Sequence, residues 1–352
     1  MQNQINLTFG KEALTELPNK LKDRAYSSLF VLVDEHTQSC CLEPFLNQTR
    51  LTDVQVLTMG AGEENKQLET CEKLWHQLSE LGADRNSALL NLGGGVVTDL
   101  GGFVACTFKR GIDFYNIPTS LLAMVDASVG GKTGIDLGPL KNQIGIIEEP
   151  QEVIIDSQWL QTLPAVEIRS GFAEMLKHGL IANPGYWQEL LKLTTPLDAN
   201  SLAPFIETSI EVKKEVVEID PKERGLRKIL NYGHTLGHAI ESYFLTHPHK
   251  KRLLHGEAIA VGMVLEAFLS IHCCDLKPSD AATIKAGFKR YYPLVSFSNE
   301  DVNAILNLLR HDKKNKAGRV NFVLLKSIGQ PQMDVEVPQE LFLKAFEYYS
   351  AP

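Results

Sequence analysis

The sequence predicts an α/β N-terminal half built on a parallel sheet, followed by a mostly α-helical C-terminal half. Three observations predict it. Short, nearly uninterrupted apolar runs alternate with helical patterns up to about residue 157, as expected of strands buried on both faces and joined by crossover helices. Beyond that point helical periodicity takes over. Between two of the runs lies a glycine-rich segment, Asn91–Phe103, that leaves a buried strand and opens a helical pattern.

Taken in order, SLFVLV (Ser28–Val33) and VQVLTM (Val54–Met59) read as the first two strands, and 66–81 has helical spacing. SALLNLG (Ser87–Gly93), DFYNIP (Asp113–Pro118) and EVIIDS (Glu152–Ser157) supply three more strands. Helical patterns then cover 165–180, 202–218, 226–244, 255–271, 281–291, 302–309 and 339–349, interrupted by one strand-like run, VNFVLL (Val320–Leu325). The expected domains are therefore 1–157 and 158–352, with the cleft between them as the default site.

Composition narrows the function. The 352 residues are 44% hydrophobic and 22% charged, with a mean hydropathy of −0.10, which excludes a disordered chain. The balance of 35 Lys+Arg against 43 Asp+Glu gives a net charge of −8, so broad binding to nucleic acid or to an anionic membrane is not expected. A local cationic pocket for a small anion remains allowed. No uncharged apolar run reaches the roughly 18 residues of a membrane span. The first residues lack the basic flank and apolar segment of a secretory signal. The six cysteines form neither a CxxC pair nor a disulfide framework, which suggests a reducing, cytoplasmic setting.

Chemistry-bearing residues gather in a few places. In the glycine-rich turn, Asp99 could accept a hydrogen bond from a ribose or nicotinamide, and the free N–H groups of a helix start favour a pyrophosphate. Gly62–Lys66 reads on spacing alone as an exposed helix cap. His234 and His238 stand four apart on one helical face, His255 opens another helical pattern, and Glu174 lies one turn from Lys177. Glu plus two His suits a catalytic zinc site, although such histidines are more often surface or core residues. HxxxH lacks the Glu of HExxH, so metalloprotease chemistry is not indicated, and His247 and His249 read as a solvated loop. Among the cations, Lys132 sits in a glycine-rich turn with Lys141 and Asn142 nearby, and Lys213 precedes Arg227. Spacings of 4, 3 and 4 put Arg227, Asn231, His234 and His238 on one helix face, opposite Ile229, Leu230, Leu236 and Ile240.

Five segments in this order carry a resemblance: GGGVVTDLGGFVA, PTSLLAMVDASVGGKTGID, SGFAEMLKHG, GLRKILNYGHTLGHAIE and HGEAIAVGM. Together they closely resemble the 3-dehydroquinate synthase family, over a stretch from about Asp34 to Asp312. The resemblance implies a Rossmann-like nucleotide-binding α/β domain and a mostly α-helical metal-binding domain, the dehydroquinate synthase-like fold. It implies an NAD- and metal-dependent lyase of the shikimate pathway, using Zn or Co, cytoplasmic and homodimeric, with a small sugar-acid phosphate as substrate. In that reaction the substrate is transiently oxidised by NAD, loses phosphate, is reduced again and closes a ring by an intramolecular aldol step.

By the same resemblance the metal ligands are Glu174, His234 and His255. The NAD contacts are Asp34, Glu63, Lys66, Gly94, Gly95, Val96, Asp99, Thr119, Ser120, Lys132, Lys141, Trp159 and Thr162. The substrate positions are Asp126, Lys132, Asn142, Lys177, Lys213, Arg227, Asn231 and His238. Arg110 is expected to reach a neighbouring subunit, and Lys313 or Lys314 to add a phosphate contact. Thr98, Ser120 and Leu140 depart from the commoner family pattern, and 239–254 is longer and more basic than usual. The related 2-deoxy-scyllo-inosose and 2-epi-5-epi-valiolone synthases act on substrates without a carboxylate, so Arg227 with Lys213 favours the dehydroquinate reaction. An NAD-linked polyol dehydrogenase would not need the phosphate-binding set.

Overall fold

The structure is a computed structural model that describes residues 5–138, 140–310 and 320–352. Its contacts divide the chain into two compact units. One comprises Met1–Pro164 with Asp198–Ile210, and the other comprises Ala165–Leu197 with Glu211–Pro352.

The first unit is organised by a six-stranded sheet. Its strands are β1 (Leu7–Phe9), β2 (Leu29–Asp34), β3 (Gln55–Met59), β4 (Ala88–Gly93), β5 (Asp113–Pro118) and β8 (Glu152–Ile155), in the order β1-β8-β5-β4-β2-β3 with every pairing parallel. Four of these match the expected apolar runs to within a residue or so. Burial explains why: Phe30 to Val33 and Leu89, Leu90 and Leu92 are all inaccessible to solvent. Helices α1 (Gly10–Arg24), α2 (Glu35–Thr37), α3 (Glu43–Thr49), α4 (Leu68–Glu80) and α5 (Gly95–Thr107) connect or cover the strands. On α4, the stripe Cys71, Leu74 and Leu78 is buried in the same core as Phe30, Leu57 and Leu89.

Sequence reading missed β1, α1 and an antiparallel hairpin of β6 (Lys132–Leu137) and β7 (Leu140–Ile147). Lys132 therefore opens a strand rather than sitting in the turn; the positive φ angles belong to Gly130 and Gly131 just before it. Helix α5 lies tight against both neighbours. A Cβ at Gly101 would come within 2.0 Å of Asn91 Oδ1, and one at Gly102 within 2.4 Å of Thr133 Cγ2.

The second unit contains α6 (Ala165–Ala182), α7 (Pro184–Leu190), the latter part of α8 (Ala199–Ile219), α9 (His234–Thr246), α10 (His255–Cys273), α11 (Pro278–Tyr291), α12 (Asn299–Arg310) and α13 (Glu340–Ser350). A hairpin of β9 (Asn321–Ser327) and β10 (Gln330–Glu336) completes it. Helix α10 is the hub, packed against α6, α9, α11, α13 and β9. By length and composition it is apolar enough to cross a membrane, yet 72% of its apolar window is buried inside the unit, and it carries Glu257 and Glu266.

One expectation is corrected here. Residues 226–244 are not a continuous helix: a 3-10 turn, Leu226–Asn231, ends before Tyr232, and α9 starts afresh at His234 after Gly233 at φ 80. Arg227 and Asn231 therefore do not share a helix face with His234 and His238.

Candidate active site

In the second unit, Glu174 on α6 is fully buried, and one of its oxygens, Oε2, accepts a hydrogen bond from the buried Lys177 one turn away. The other oxygen, Oε1, accepts no hydrogen bond and lies 3.5 Å from Nε2 of His234 and 3.5 Å from Nε2 of His255. Donor atoms held about 2.0–2.2 Å from a tetrahedral ion stand roughly 3.3–3.6 Å apart, so these spacings fit a common cation.

The far side of each imidazole fixes its tautomer. His234 Nδ1 is 3.1 Å from the Tyr232 carbonyl, which can only accept, so Nδ1 carries the proton and Nε2 keeps its lone pair. His255 Nδ1 faces Oε2 of Glu241 at 3.3 Å, so Nδ1 keeps its proton and Nε2 is the nitrogen that can exchange a proton for an ion. Glu241 is an addition to the residues foreseen from sequence; its only signal there was a carboxylate one helical turn past His238 in a mostly apolar segment. His238 is close by, its ring centroid 5.1 Å from that of His234 and 5.8 Å from that of His255. The ligand atoms of the three histidines all lie within 4.8 Å of one another.

The electrostatics favour a cation. Burial alone would raise the Glu174 carboxyl, but Lys177, His234 and His255 together hold it well below the ordinary carboxylate range. Burial lowers His234 to about 4, so its imidazole is neutral and free to donate its lone pair. Burial also pulls His255 down, but the charges of Glu241 and Glu174 outweigh it and raise the ring to about 10. A position flanked by two carboxylates that favours a proton this strongly favours a divalent ion for the same reason.

The cationic set of this unit is buried and braced. Lys213 and Arg227 are 5% and 3% exposed. Arg227 Nη1 donates to the Pro221 carbonyl at 2.8 Å, and Asp220 gathers the backbone N–H groups of Arg224, Gly225 and Arg227 around that turn. Asn231 donates from Nδ2 to Glu223 Oε1 at 2.6 Å. The loop 247–254, which carries Lys250, Lys251 and Arg252, is anchored too: Asp301 accepts from Lys250 and from the Tyr243 hydroxyl, each at 2.6 Å.

In the first unit the foreseen nucleotide contacts converge by topology. Asp34 ends β2, Glu63 and Lys66 follow β3, Gly94 to Val96 follow β4, Thr119 and Ser120 follow β5, and Trp159 and Thr162 follow β8. These residues therefore lie along the carboxyl edge of one parallel sheet, while Lys132 and Lys141 stand on the β6–β7 hairpin. From β2 the chain runs out to β3 and returns to β4 on the other side of β2, and such a reversal opens a ligand crevice at that edge. Gly94 is the N-cap of α5, and it lets the backbone N–H groups of that helix start be approached closely.

Lys66 organises the rest. It is 3% exposed, and its ammonium donates to Asp99 Oδ2 and to Asn142 Oδ1, each at 2.6 Å. Burial would lower it, but Asp99 and Glu63 outweigh that and raise it. The β6–β7 hairpin is drawn in through Lys141, 3.6 Å from Glu63, and through Asp136, whose backbone N–H donates to the Lys66 carbonyl at 2.8 Å. Asn142, expected among substrate contacts, is thus tied to Lys66 and Asp99, which were expected around NAD. Asp34 is engaged as the cap of α2, accepting from the Thr37 N–H at 2.7 Å. The departures are accommodated locally: Thr98 Oγ1 donates to the Gly95 carbonyl at 3.1 Å, the Ala123 N–H donates to Ser120 Oγ at 3.3 Å, and Leu140 is 49% exposed. Asp126 lies in the turn Ala123–Ala127, and exposed Arg110 closes the turn Phe108–Arg110. Lys313 and Lys314 lie outside the described residues.

Comparison with known proteins gives the family. The family described as 3-dehydroquinate synthase N-terminal matches residues 56–170, and its C-terminal counterpart matches 171–315. A 3-dehydroquinate synthase of Parabacteroides distasonis is 41% identical over 340 residues, covering 96% of each chain. One of Xanthomonas axonopodis pv. citri is 44% identical over 299 residues, covering 83% of this chain and 81% of the relative. Among solved structures, a 2-deoxy-scyllo-inosose synthase complexed with carbaglucose-6-phosphate, NAD+ and Co2+ superposes with a TM-score of 0.86 at 26% identity, covering 97% of this chain and 96% of that one. With both halves matched and relatives of this similarity aligned along nearly the whole length, the chain belongs to the 3-dehydroquinate synthase family of enzymes.

Proposed function

We propose that the chain performs its family's reaction, converting 3-deoxy-D-arabino-heptulosonate 7-phosphate into 3-dehydroquinate and phosphate in the shikimate pathway of aromatic amino-acid biosynthesis. The observation that carries the reading is the unanswered oxygen of Glu174, 3.5 Å from the Nε2 atoms of two histidines. We assign the nucleotide to the first unit and the metal, Zn or Co, to the second. When bound, NAD supplies a reversible hydride acceptor and the metal a Lewis acid that acidifies a substrate alcohol.

The chain's own residues do the positioning. Glu174, His234 and His255 are the ion's ligands, with Lys177 neutralising the second carboxylate oxygen. Buried Arg227 and Lys213 bind the substrate carboxylate, a role that carboxylate-free cyclase substrates would leave unused. Lys132, Asn231 and His238 bind the phosphate with Asn142, whose amide oxygen already serves Lys66 and which donates through its nitrogen. Asp126 completes the substrate shell. Asp34, Glu63, Lys66, Asp99, Thr119, Ser120, Lys141, Trp159 and Thr162 hold the nucleotide over the N-terminus of α5. Arg110, exposed and preceded by Lys109 with both at positive φ, extends to the phosphate of a second copy in a homodimer. All six cysteines are free thiols, which supports the cytoplasm as the setting.

The test is incubation with the heptulosonate phosphate, NAD and Zn2+ or Co2+. Phosphate release with ring formation and no accumulation of NADH is expected. Accumulating NADH without phosphate would instead mark a polyol dehydrogenase and overturn the reading.

A further inference from the structure

The two ligand histidines share an unusual placement: His234 is the first residue of α9 and His255 the first of α10. Their positions are therefore only as firm as two helix starts, where backbone N–H groups lack partners within the helix. The α9 start has no N-cap side chain, because Gly233 carries none, whereas at the α10 start Glu257 accepts from the Leu254 N–H at 3.0 Å. A buried glutamate from each helix reaches the first residues of the other: Glu266 meets the backbone of α9, and Glu241 meets the His255 ring.

Glu266, on α10 and fully buried, accepts from the Gly233 N–H through Oε2 at 2.6 Å and from the Leu236 N–H through Oε1 at 3.1 Å. It brackets His234 on both sides along the chain, and its charge complements the positive end of α9. The Tyr232 carbonyl that holds the His234 ring belongs to the same turn, and the Tyr232 hydroxyl donates to the Met263 carbonyl of α10 at 3.0 Å. A shift of that turn would therefore move both the imidazole and the acceptor that orients it. In the other direction Glu241, on α9 and 6% exposed, holds the Nδ1 edge of His255.

Packing does not call for these carboxylates. The helices already meet closely at glycines, and the surroundings of Glu266 on α10 are Met263, Val264, Leu265 and Ala267, all buried. An apolar side chain would be cheaper to bury there than a carboxylate.

We propose that Glu241 and Glu266 are reciprocal positioning residues for the metal centre, each fixing the ligand histidine borne by the other helix. The inference rests on reading Glu174, His234 and His255 as the ligand set. Outer partners of this kind typically change metal affinity 10–100-fold.

The experiment uses the full-length, metal-loaded protein and titrates Zn2+ or Co2+ away with a chelator. Cobalt absorption bands and thermal unfolding are recorded alongside. E241A should hold metal about 10–100-fold more weakly. E241Q, whose amide oxygen can still accept from Nδ1, should stay near wild type. E266Q, which keeps one acceptor oxygen, should lose roughly tenfold in affinity and shift the cobalt bands. Folded E241A and E266Q that retain metal like wild type would overturn the proposal, as would a lower melting temperature with unchanged affinity and spectrum. An E266Q chain that fails to fold would assign Glu266 to folding itself and overturn its half. Failure of the underlying reading looks different: E174Q and H234A would then bind metal as tightly as wild type.

Discussion

Each unit buries one charge at the centre of its site, and the two are answered differently. Lys66, in the nucleotide-binding unit, finds an anion and an amide oxygen inside the chain, Asp99 and Asn142. Glu174, in the helical unit, has Lys177 on one oxygen and only the Nε2 edges of two imidazoles near the other. A buried charge met within the chain is a structural joint; here it pins the β6–β7 hairpin to the turn after β3 and to α5. A buried charge met by half marks where something from outside must enter.

Removing the half-answered charge should have the largest effect. Glu174→Gln keeps the shape and loses the anion, and phosphate release should fall by at least about a hundredfold, the upper figure for even an outer partner of a metal centre. If the variant stays active with its metal in place, measured by metal content after gel filtration, the contrast with Lys66 disappears.

Removing the fully answered charge should be felt first as stability. Lys66→Met preserves most of the side-chain volume but leaves Asp99 without its cation. Breaking a buried pair this way costs about 3 kcal/mol, the low end of the usual range, since Asp99 keeps some contact with water. Denaturant unfolding would show it. A loss of NAD affinity with no loss of stability would mean that Lys66 serves the nucleotide alone and is not also a joint.

The helix crossing behind the metal site offers a third test. A Cβ at Gly262 would lie 2.0 Å from the Gly233 carbonyl oxygen and 2.8 Å from the Gly237 nitrogen, all backbone atoms that cannot rotate away. Gly262→Ala should cost about 1–3 kcal/mol by overpacking and weaken metal retention, since it pushes apart the helices that begin with His234 and His255. Unchanged melting and metal content would show that the crossing is looser than described.

The smallest effect concerns pH. Burial would raise Asp301, but hydrogen bonds from Lys250 and Tyr243 outweigh it and hold the folded-state pKa below the ordinary value. A depressed carboxylate contributes stability above its unfolded pKa of about 4 and loses that contribution as pH falls through the lower folded value. Wild type should therefore exceed Asp301→Asn by about 1.5 kcal/mol at pH 7, the modest end for a charged partner because Lys250 is 30% exposed. The gap should shrink progressively below pH 4 in paired thermal melts. A constant difference down to the acid limit would rule this carboxylate out.

The parallel sheet was legible because β2 to β5 are buried on both faces and therefore written in continuous apolar runs. The β6–β7 hairpin was not. Gly134 and Gly145 face each other across it, where a Cβ would come within 2.6 Å of the Ile144 carbonyl oxygen and 2.3 Å of that of Thr133. Close backbone approach put glycine where a strand normally advertises itself with a branched side chain. The histidine spacing was visible, but without the resemblance it favoured surface or core histidines over ligands. What periodicity could not reveal was the interruption at Gly233. The residue that caps the restarted helix, Glu266, is 33 positions away in sequence, and such long-range partners leave no trace in local spacing.

The anchored loop before His255 has one more consequence. Lys250 is tied to Asp301, and the Glu257 carboxylate accepts from the Leu254 N–H at 3.0 Å, so both the middle and the end of the loop are clamped. Only the short stretch after Thr246 is left to vary. Extra residues inserted there would bulge outward at a small entropic cost that grows only logarithmically with length, while the donor atom of His255 stays in register. A change of length at this point is thus decoupled from the position of His255, which makes it a natural place to graft a tag or sensor.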